Sequence, residues 1–448
     1  MLETFRLAIR ASFMRYFRLM DDSGKGRLPP GFRKLDVAAR RDAVRSAFFI
    51  PDDEWSGTSA APETLELLDV MVETTVGCVA LPLGIAQGFL IDDKDVLIPM
   101  AVEEPSIITA ASYAAHLVRE DDGFRTWASD PLMTAQVFLE SVTAQGEQAL
   151  RECEAELRQA LAGPLASLSR RGGGYRSFLV ARLPSRTVRL DLLIDVRDAL
   201  GANRLNTAAE SVCPLLERVS GGRALMAILT NAAAQRLAGA RFSIPVERLK
   251  RDLPAGMSCQ EAARRIAAAS VVAQEDPSRA VTHNKGIMNG IASLALATMN
   301  DTRAVEAAAH LWAARDGNYR GLSRYSTDGM SLAGEIELPL PLASVGGSVD
   351  FHPAGRASLR ILGSPDARRL SRIAAALGLA QNFAAVLALV THGIQKGHMK
   401  YHAARLAYRA GARGTEVRRL AEMLAPPGSM DLASAHALLE RLRGKLSR

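Results

Sequence analysis

The sequence predicts an α+β protein in which a compact module interrupts a larger domain. Two observations carry this. Between Pro131 and about Asn231 the apolar pattern runs strand, helix, strand, strand, helix, strand, a split βαββαβ unit. Strand-like runs and alanine-rich helical patterns lie on both sides of it, and from Thr391 onward the pattern is helical only. The chain thus divides into an extension over 1–28, a first part of the large domain over 29–130, the module over 131–231, a second part of the large domain over 232–390, and a helical tail over 391–448.

In the extension, Arg6, Arg10, Arg15 and Arg18 interleave with Phe5, Ile9, Phe13, Tyr16, Phe17 and Leu19, a basic amphipathic helix pattern. It has neither the apolar centre nor the cleavage site of a signal peptide. It reads as a membrane-surface or partner helix, or as a segment added upstream of the domain. Asp21 to Pro30 is a Gly/Pro/Asp linker. Helices are predicted over Leu35–Ala47 and Glu63–Thr75, and strands in the apolar runs from Gly77 to Val102, with a hairpin at Asp92-Asp93-Lys94-Asp95. Glu103-Glu104-Pro105-Ser106 then leads into an alanine-rich helix, Ile107–Val118.

In the module, Met133–Val142, Phe178–Ala181, Val188–Val196 and Ala224–Leu229 read as strands. Gln145–Ser169 reads as a long helix breakable at Gly163-Pro164, and Asn203–Val219 as the second helix. Beyond it, Cys259–Ala273 and Ala367–Ala385 are helical, Leu332–Leu342 is strand-like, and Ser344-Val-Gly-Gly-Ser is a tight turn. In the tail, Gly393 and Gly397 precede a helix, which suits a hinged flap, and later helices break at Pro426-Pro427-Gly428.

The 448 residues are 48% hydrophobic and 23% charged, a globular composition. A net charge of +7 from 55 basic and 48 acidic residues, interspersed, is no nucleic-acid signature, and no aromatic stacking pattern accompanies it. It does suit an anionic substrate. Cys78, Cys153, Cys213 and Cys259 are far apart, so neither a disulfide framework nor a zinc site is expected, which fits a reducing cytoplasm. No apolar run reaches the roughly 20 residues expected of a membrane span.

The chemistry concentrates between Arg279 and His310, where Lys285 is expected in a polar loop of Thr282, His283, Asn284, Gly286 and Asn289, with Asp301 opening the next helix. Such a lysine is either a surface turn or a cation held for reaction. Glu103 and Glu104 are either helix-cap charge or a carboxyl poised to donate a proton. Gly201, just before a helix, would let backbone amides approach a phosphate, or is an ordinary cap. His398 and His402 lie four apart with no third ligand, so no metal is expected; His398 is either a solvated flap residue or a proton donor delivered by closure.

Five segments taken together, Glu103-Glu-Pro-Ser-Ile, Asp198-Ala-Leu-Gly-Ala-Asn203, Thr282-His-Asn-Lys-Gly-Ile-Met-Asn-Gly290, Gly346-Gly347 and Gly397-His-Met399, resemble 3-hydroxy-3-methylglutaryl-coenzyme A reductase, in its bacterial class II form. The resemblance covers about Leu35 to Gly414. It implies a large CoA-binding α+β domain, an inserted ferredoxin-like nucleotide-binding module and a small helical C-terminal flap. The implied reaction interconverts hydroxymethylglutaryl-CoA with mevalonate and CoA through mevaldehyde, using two nicotinamide cofactors. Lys285 would stabilise charge on the reacting oxygen, Asp301 would hold and tune Lys285, Glu104 would pass a proton, and His398 would protonate the departing thiolate. Ser106, Arg279 and Asn289 would grip the acyl part, with Asn231 and Gln381 as further polar contacts, and Asp198, Gly201 and Asn203 would contact the nucleotide. The family is built as homodimers, or larger assemblies of them, with active sites at the subunit interface.

Two departures stand out. The family signature E-N-x-[I/V]-G is Glu73-Thr74-Thr75-Val76-Gly77 here, without the asparagine. Where NAD-preferring relatives carry an aspartate, counting back from Gly172-Gly-Gly lands on Leu165, with Arg170 and Arg171 nearby; the choice between NAD(H) and NADP(H) stays open. A non-catalytic CoA- or nucleotide-binding relative, or a reductase of a different acyl-CoA, is the competing reading.

Overall fold

The structure is a computed structural model that describes residues 26–393, 403–424 and 431–446. Residues 1–25 of the extension, and His398, lie outside the described residues. The chain separates into two compact units, Met1–Pro82 and Leu83–Arg448, so the stretch 29–130 is not one piece.

In the first unit, helices Val37–Phe48 and Pro62–Met71 match the predicted pair. Arg40, between them, is buried; it pairs with Asp69 at 2.8 Å and donates to the carbonyls of Leu35 and Thr75. Burial alone would make such a charge costly, and its carboxylate and carbonyl partners compensate. Thr74, at the position where the E-N-x-[I/V]-G pattern has asparagine, adopts a left-handed backbone with φ 59°. A β-branched residue is strained there, whereas asparagine is not.

The second unit begins with a hairpin of β1 (Leu83–Ile91) and β2 (Lys94–Ala101). Its turn residues Asp92 and Asp93 have φ of 51° and 64°, the left-handed geometry that a tight hairpin needs. After the helix Ile107–Arg119 comes β3 (Arg125–Ala128), which pairs with β8 (Leu237–Pro245); β10 (Ser331–Pro339) and β9 (Ser323–Thr327) complete an antiparallel sheet of order β3-β8-β10-β9. Of these strands only β10 is legible in the apolar pattern.

Between β3 and β8 lies the module, with β4 (Leu132–Glu140), β5 (Gly174–Arg182), β6 (Val188–Asp195) and β7 (Arg223–Thr230) in the order β5-β6-β4-β7. The predicted βαββαβ sequence of elements holds, with its own core of Val137, Leu190, Leu192 and Val212 among others. The first helical region is not one long helix: it is Ala144–Glu152, Glu154–Ala162 and Ala166–Ser169, broken at Cys153 as well as at Gly163-Pro164.

Two helices form the centre of the large domain. One is Pro277–Ala297, which carries Lys285; the other is Ala367–Val390, buried along almost its whole length. This second helix is long and apolar enough to cross a membrane by composition, contrary to the expectation that no run reaches that length, but 72% of its most apolar window is buried inside the protein. A helix apolar on all sides is what a domain centre requires. The two helices cross closely because of glycine: a Cβ on Gly378 would come within 2.7 Å of Ile291, and one on Gly290 within 3.2 Å of Leu377 and Gln381. In the tail, helices Thr415–Leu424 and Leu432–Leu446 pack a small core of their own with Leu406, Leu420 and Leu439.

Asp92 ties several of these parts together. Its carboxylate accepts from the amide and hydroxyl of Thr126 and from Arg369 and Arg372 on the central helix. Burial pushes the Asp92 carboxyl up, but the Thr126 hydrogen bonds and the two guanidinium charges outweigh it and hold the carboxyl below its ordinary value. The stabilisation is therefore present above the unfolded pKa and is lost as pH falls through the folded one. Asp92→Asn keeps a residue that tolerates the left-handed turn, so it isolates the charge. It is expected to cost ~2 kcal/mol at pH 7, with the gap to wild type closing toward pH 3 in chemical denaturation.

Candidate active site

A cavity of about 350 Å³ opens where the Lys285 helix, the central helix and the segment after β2 meet. Glu104, Ser106, Arg279, Lys285, Asn289 and Gln381 all line it. Six candidate residues separated by up to 277 positions thus converge, as chemistry on one small substrate demands.

Lys285 is not in a loop. It lies within the continuous helix Pro277–Ala297, which Asp276 caps by accepting from the Ser278 amide. The residues that read as loop formers are satisfied sideways instead. Asn284 donates to the Arg320 carbonyl at 2.8 Å and accepts from the Leu322 amide at 2.8 Å, and His283 meets Ser323 Oγ at 2.7 Å. Helical spacing then places Arg279, Thr282, Lys285, Gly286 and Asn289 along the stripe that faces the cavity.

Lys285 Nζ lies 3.1 Å from Glu104 Oε2. The lysine side chain is 61% exposed and the carboxylate 38%, so the pair is accessible and contributes little to stability. Its value is placement: a cation and a carboxylate side by side at one cavity wall. Ser106 begins the helix Ile107–Arg119 with φ 76°, and its hydroxyl caps nothing. Ser106 Oγ, Gln381 Oε1 and His283 Nδ1 are buried with no protein partner, three polar atoms held beside the cavity. A non-glycine residue in that backbone region is strained, a condition that proteins retain mostly at functional positions.

His283 and Asn382 are lining residues to which the motif reading gave no role. Asn382 follows Gln381, and two adjacent amides in the apolar run after Arg372 are the signal that marks them. Burial, and then the charge of Arg279, push the His283 imidazole down to about 4, against a smaller opposing effect of Ser323.

Asp301 is elsewhere. It caps the helix Thr302–Ala313, accepting from the amides of Arg303 and Ala304, with Arg303 3.1 Å away. About 18 Å of helix rise separates Lys285 from Ala297, and Asp301, beyond it, is not among the residues that line the cavity. Asn231 is exposed in the turn after β7 and does not line the cavity. The tail reaches the site through Arg405, which donates to the Glu103 carbonyl at 3.4 Å.

The nucleotide motif is also resolved into parts. Gly201 has φ 78°, and a Cβ there would lie 2.6 Å from Val196 Cγ1, so only glycine fits. It begins the helix Ala202–Ser220 without a side-chain cap, leaving first-turn amides for an anion, and Asn203 is exposed in that turn. Asp198 does something else: its carboxylate accepts from the Ala367 amide at 3.0 Å, at the start of the central helix, and its carbonyl accepts from Ser344 at 2.8 Å. Arg236, only 3% exposed, donates to the Ala199 and Leu342 carbonyls beside this joint. Leu165 is buried in the module core. Arg176 and Arg197 share the buried carboxylate of Asp195, and Arg197 lies over Gly173.

Because the folded His283 is harder to protonate than the unfolded residue, folding is favoured above about pH 6.5 and weakens as pH falls toward 4. Wild type is expected to lose roughly 2 kcal/mol more than His283→Gln between pH 7 and pH 5 in urea unfolding. Parallel losses in the two proteins would remove this role.

A family model described as hydroxymethylglutaryl-coenzyme A reductase matches residues 36–403. A 3-hydroxy-3-methylglutaryl-coenzyme A reductase of Archaeoglobus fulgidus is 42% identical over 422 residues, 92% of this chain and 94% of its own. A probable 3-hydroxy-3-methylglutaryl-coenzyme A reductase of Borreliella burgdorferi is 32% identical over 380 residues, 84% of this chain and 85% of its own. The class II reductase of Streptococcus pneumoniae, solved with NADPH in open conformations, superposes with a TM-score of 0.71 at 37% identity, covering 91% of this chain and all of its own.

Proposed function

The chain belongs to the hydroxymethylglutaryl-coenzyme A reductase family, and on that premise we propose that it interconverts hydroxymethylglutaryl-CoA with mevalonate and CoA through mevaldehyde. The observation that supports this most is the Glu104–Lys285 pair at the wall of a cavity that also presents Arg279.

A bound nicotinamide supplies or accepts hydride at the acyl carbon. What the chain contributes is charge placement. Arg279 suits the free carboxylate of the acyl chain through paired N–H donors. Negative charge grows on the carbonyl oxygen as that carbon is reduced, and Lys285 Nζ is the fixed cation that stabilises it. Glu104, within hydrogen-bond reach of Lys285, carries a proton to or from the same oxygen. Ser106 Oγ, Asn289 and Gln381 orient the chain, and Asn231 joins the contacts only if the module closes. His398 protonates the CoA thiolate as the flap closes. Asp301 caps its own helix, so its work beside Lys285 calls for a second copy of the chain, in a homodimer whose sites lie at the interface.

For the cofactor we favour NADP(H). The support is the arginine-rich rim beside the nucleotide motif, where exposed Arg170 and Arg171 adjoin Arg176 and Arg197 and a 2′-phosphate would find guanidinium partners. The uncapped helix start at Gly201 suits the pyrophosphate.

Lys285→Ala is expected to abolish turnover in an absorbance assay at the nicotinamide band while leaving the circular dichroism unchanged. Co-expressed with Asp301→Ala, it should recover about one quarter of wild-type activity, since half of the mixed dimers' sites would be intact. No recovery would place both residues in one subunit's site. Arg171→Ala and Arg197→Ala should each raise KM for NADP⁺ roughly tenfold and leave NAD⁺ kinetics unchanged. A wild type that prefers NAD⁺ would refute the cofactor assignment.

A further inference from the structure

We propose that His283 recognises the hydroxyl on the third carbon of the substrate, accepting its hydrogen bond at Nδ1, and so selects 3-hydroxy acyl chains; this rests on the reductase reading above.

The argument starts from Asn382. Its Nδ2 donates to the His283 carbonyl at 3.1 Å, and a flipped amide would set two acceptors against each other there. Asn382 Oδ1 therefore faces Ser323 Oγ at 2.8 Å and the Tyr325 hydroxyl at 2.9 Å, and it accepts from both. Ser323 has one proton, and it is committed to Asn382. At 2.7 Å from Ser323 Oγ, His283 Nε2 must then be the donor. The proton of the neutral ring is fixed on Nε2, and Nδ1 is left as a lone pair. Burial beside Arg279 keeps the ring neutral.

That lone pair has no protein donor, and His283 is 1% exposed and lines the cavity. Its neighbours there explain what it is for. Arg279 and Lys285 are cations that serve oxygens able to accept. A substrate hydroxyl also has a proton to give, and it needs an acceptor. Glu104 is engaged with Lys285, and the Gln381 amide presents a donor as readily as an acceptor by rotating. His283 Nδ1, buried beside the cavity, is an acceptor that cannot become a donor while the ring is neutral and its proton stays on Nε2. A buried acceptor left unpaired is costly, so a chain lacking the hydroxyl is penalised on binding.

The test uses full-length protein and two substrates, hydroxymethylglutaryl-CoA and its analogue without the hydroxyl, 3-methylglutaryl-CoA. Wild type should favour the first by roughly 10²-fold or more in kcat/KM. His283→Gln keeps a donor near the Nε2 position and removes the Nδ1 acceptor. It should narrow that ratio at least about tenfold, acting on the hydroxylated substrate alone. Equal losses on both substrates would mark a purely structural residue and overturn the proposal, as would an unchanged ratio. A wild type that turns over neither substrate would sink the reductase reading instead. Calorimetric titration with free 3-hydroxy-3-methylglutarate and 3-methylglutarate still decides the histidine: tighter binding of the hydroxy acid, lost in His283→Gln, supports it, and equal or absent binding of both by wild type overturns it. If the variant does not fold, ¹⁵N-histidine NMR of wild type gives the answer. Nδ1 should be unprotonated at pH 7 and shift on addition of the hydroxy acid but not its analogue; a protonated Nδ1 would refute the assignment.

Discussion

The close crossing of the Lys285 helix and the central helix is the constraint on which the site depends. Gly290 and Gly378 remove the side chains that would hold the helices apart. Only at that separation does the Asn382 amide reach the His283 carbonyl and set the orientation of Ser323, Tyr325 and His283 together. The cavity is the gap left on the outer side of the same crossing. Behind it, Asn382, Ser323, Tyr325 and the Nε2 side of His283 are linked by hydrogen bonds, and in a low-dielectric interior such a network tolerates little displacement. The more exposed groups, Lys285 and Glu104, stand at the accessible wall.

Much of the fold was legible because alternation and helical spacing report burial directly. The module shows this: inward Val137 and Leu139 and the apolar side of β6 leave a period-two trace. The Lys285 helix was hidden for the opposite reason. Thr282, His283, Asn284 and Gly286 have local preferences for turns, and what keeps them helical is distant, in Arg320, Leu322 and Ser323. β3, β8 and β9 were missed because they are short or carry glycine and alanine where a pattern needs bulk. Candidate site residues came from motifs, whereas their convergence could not: the Glu104–Lys285 pair spans 181 positions. Asp198 marks the limit of motif reading, since its carboxylate ties the module to the central helix of the large domain.

Charge is distributed to match these tasks. Arg40 and Arg236 are held inside by carboxylate or carbonyl oxygens and serve the fold. Burial pushes Arg236 down to about 10, against the pull of Asp198 and Asp195, and it remains a cation at neutral pH. Arg279 and Lys285 border a cavity, where their charge is available to a ligand. The modest net excess of +7 says nothing of this division, which arises from position.

The module's two connections to the large domain run side by side. Ser129 accepts from the Leu237 amide, donates to the Gln235 carbonyl, and its own amide donates to the Leu237 carbonyl, each at 2.8 Å. β3 and β8 are already paired where the chain departs, and Thr134 faces Thr230 where it enters and leaves the module. To the large domain, a hundred residues are therefore an enlarged hairpin loop. Loops of that kind lengthen at small entropic cost, so a lineage could exchange one insert for another while the large domain around the cavity stayed intact.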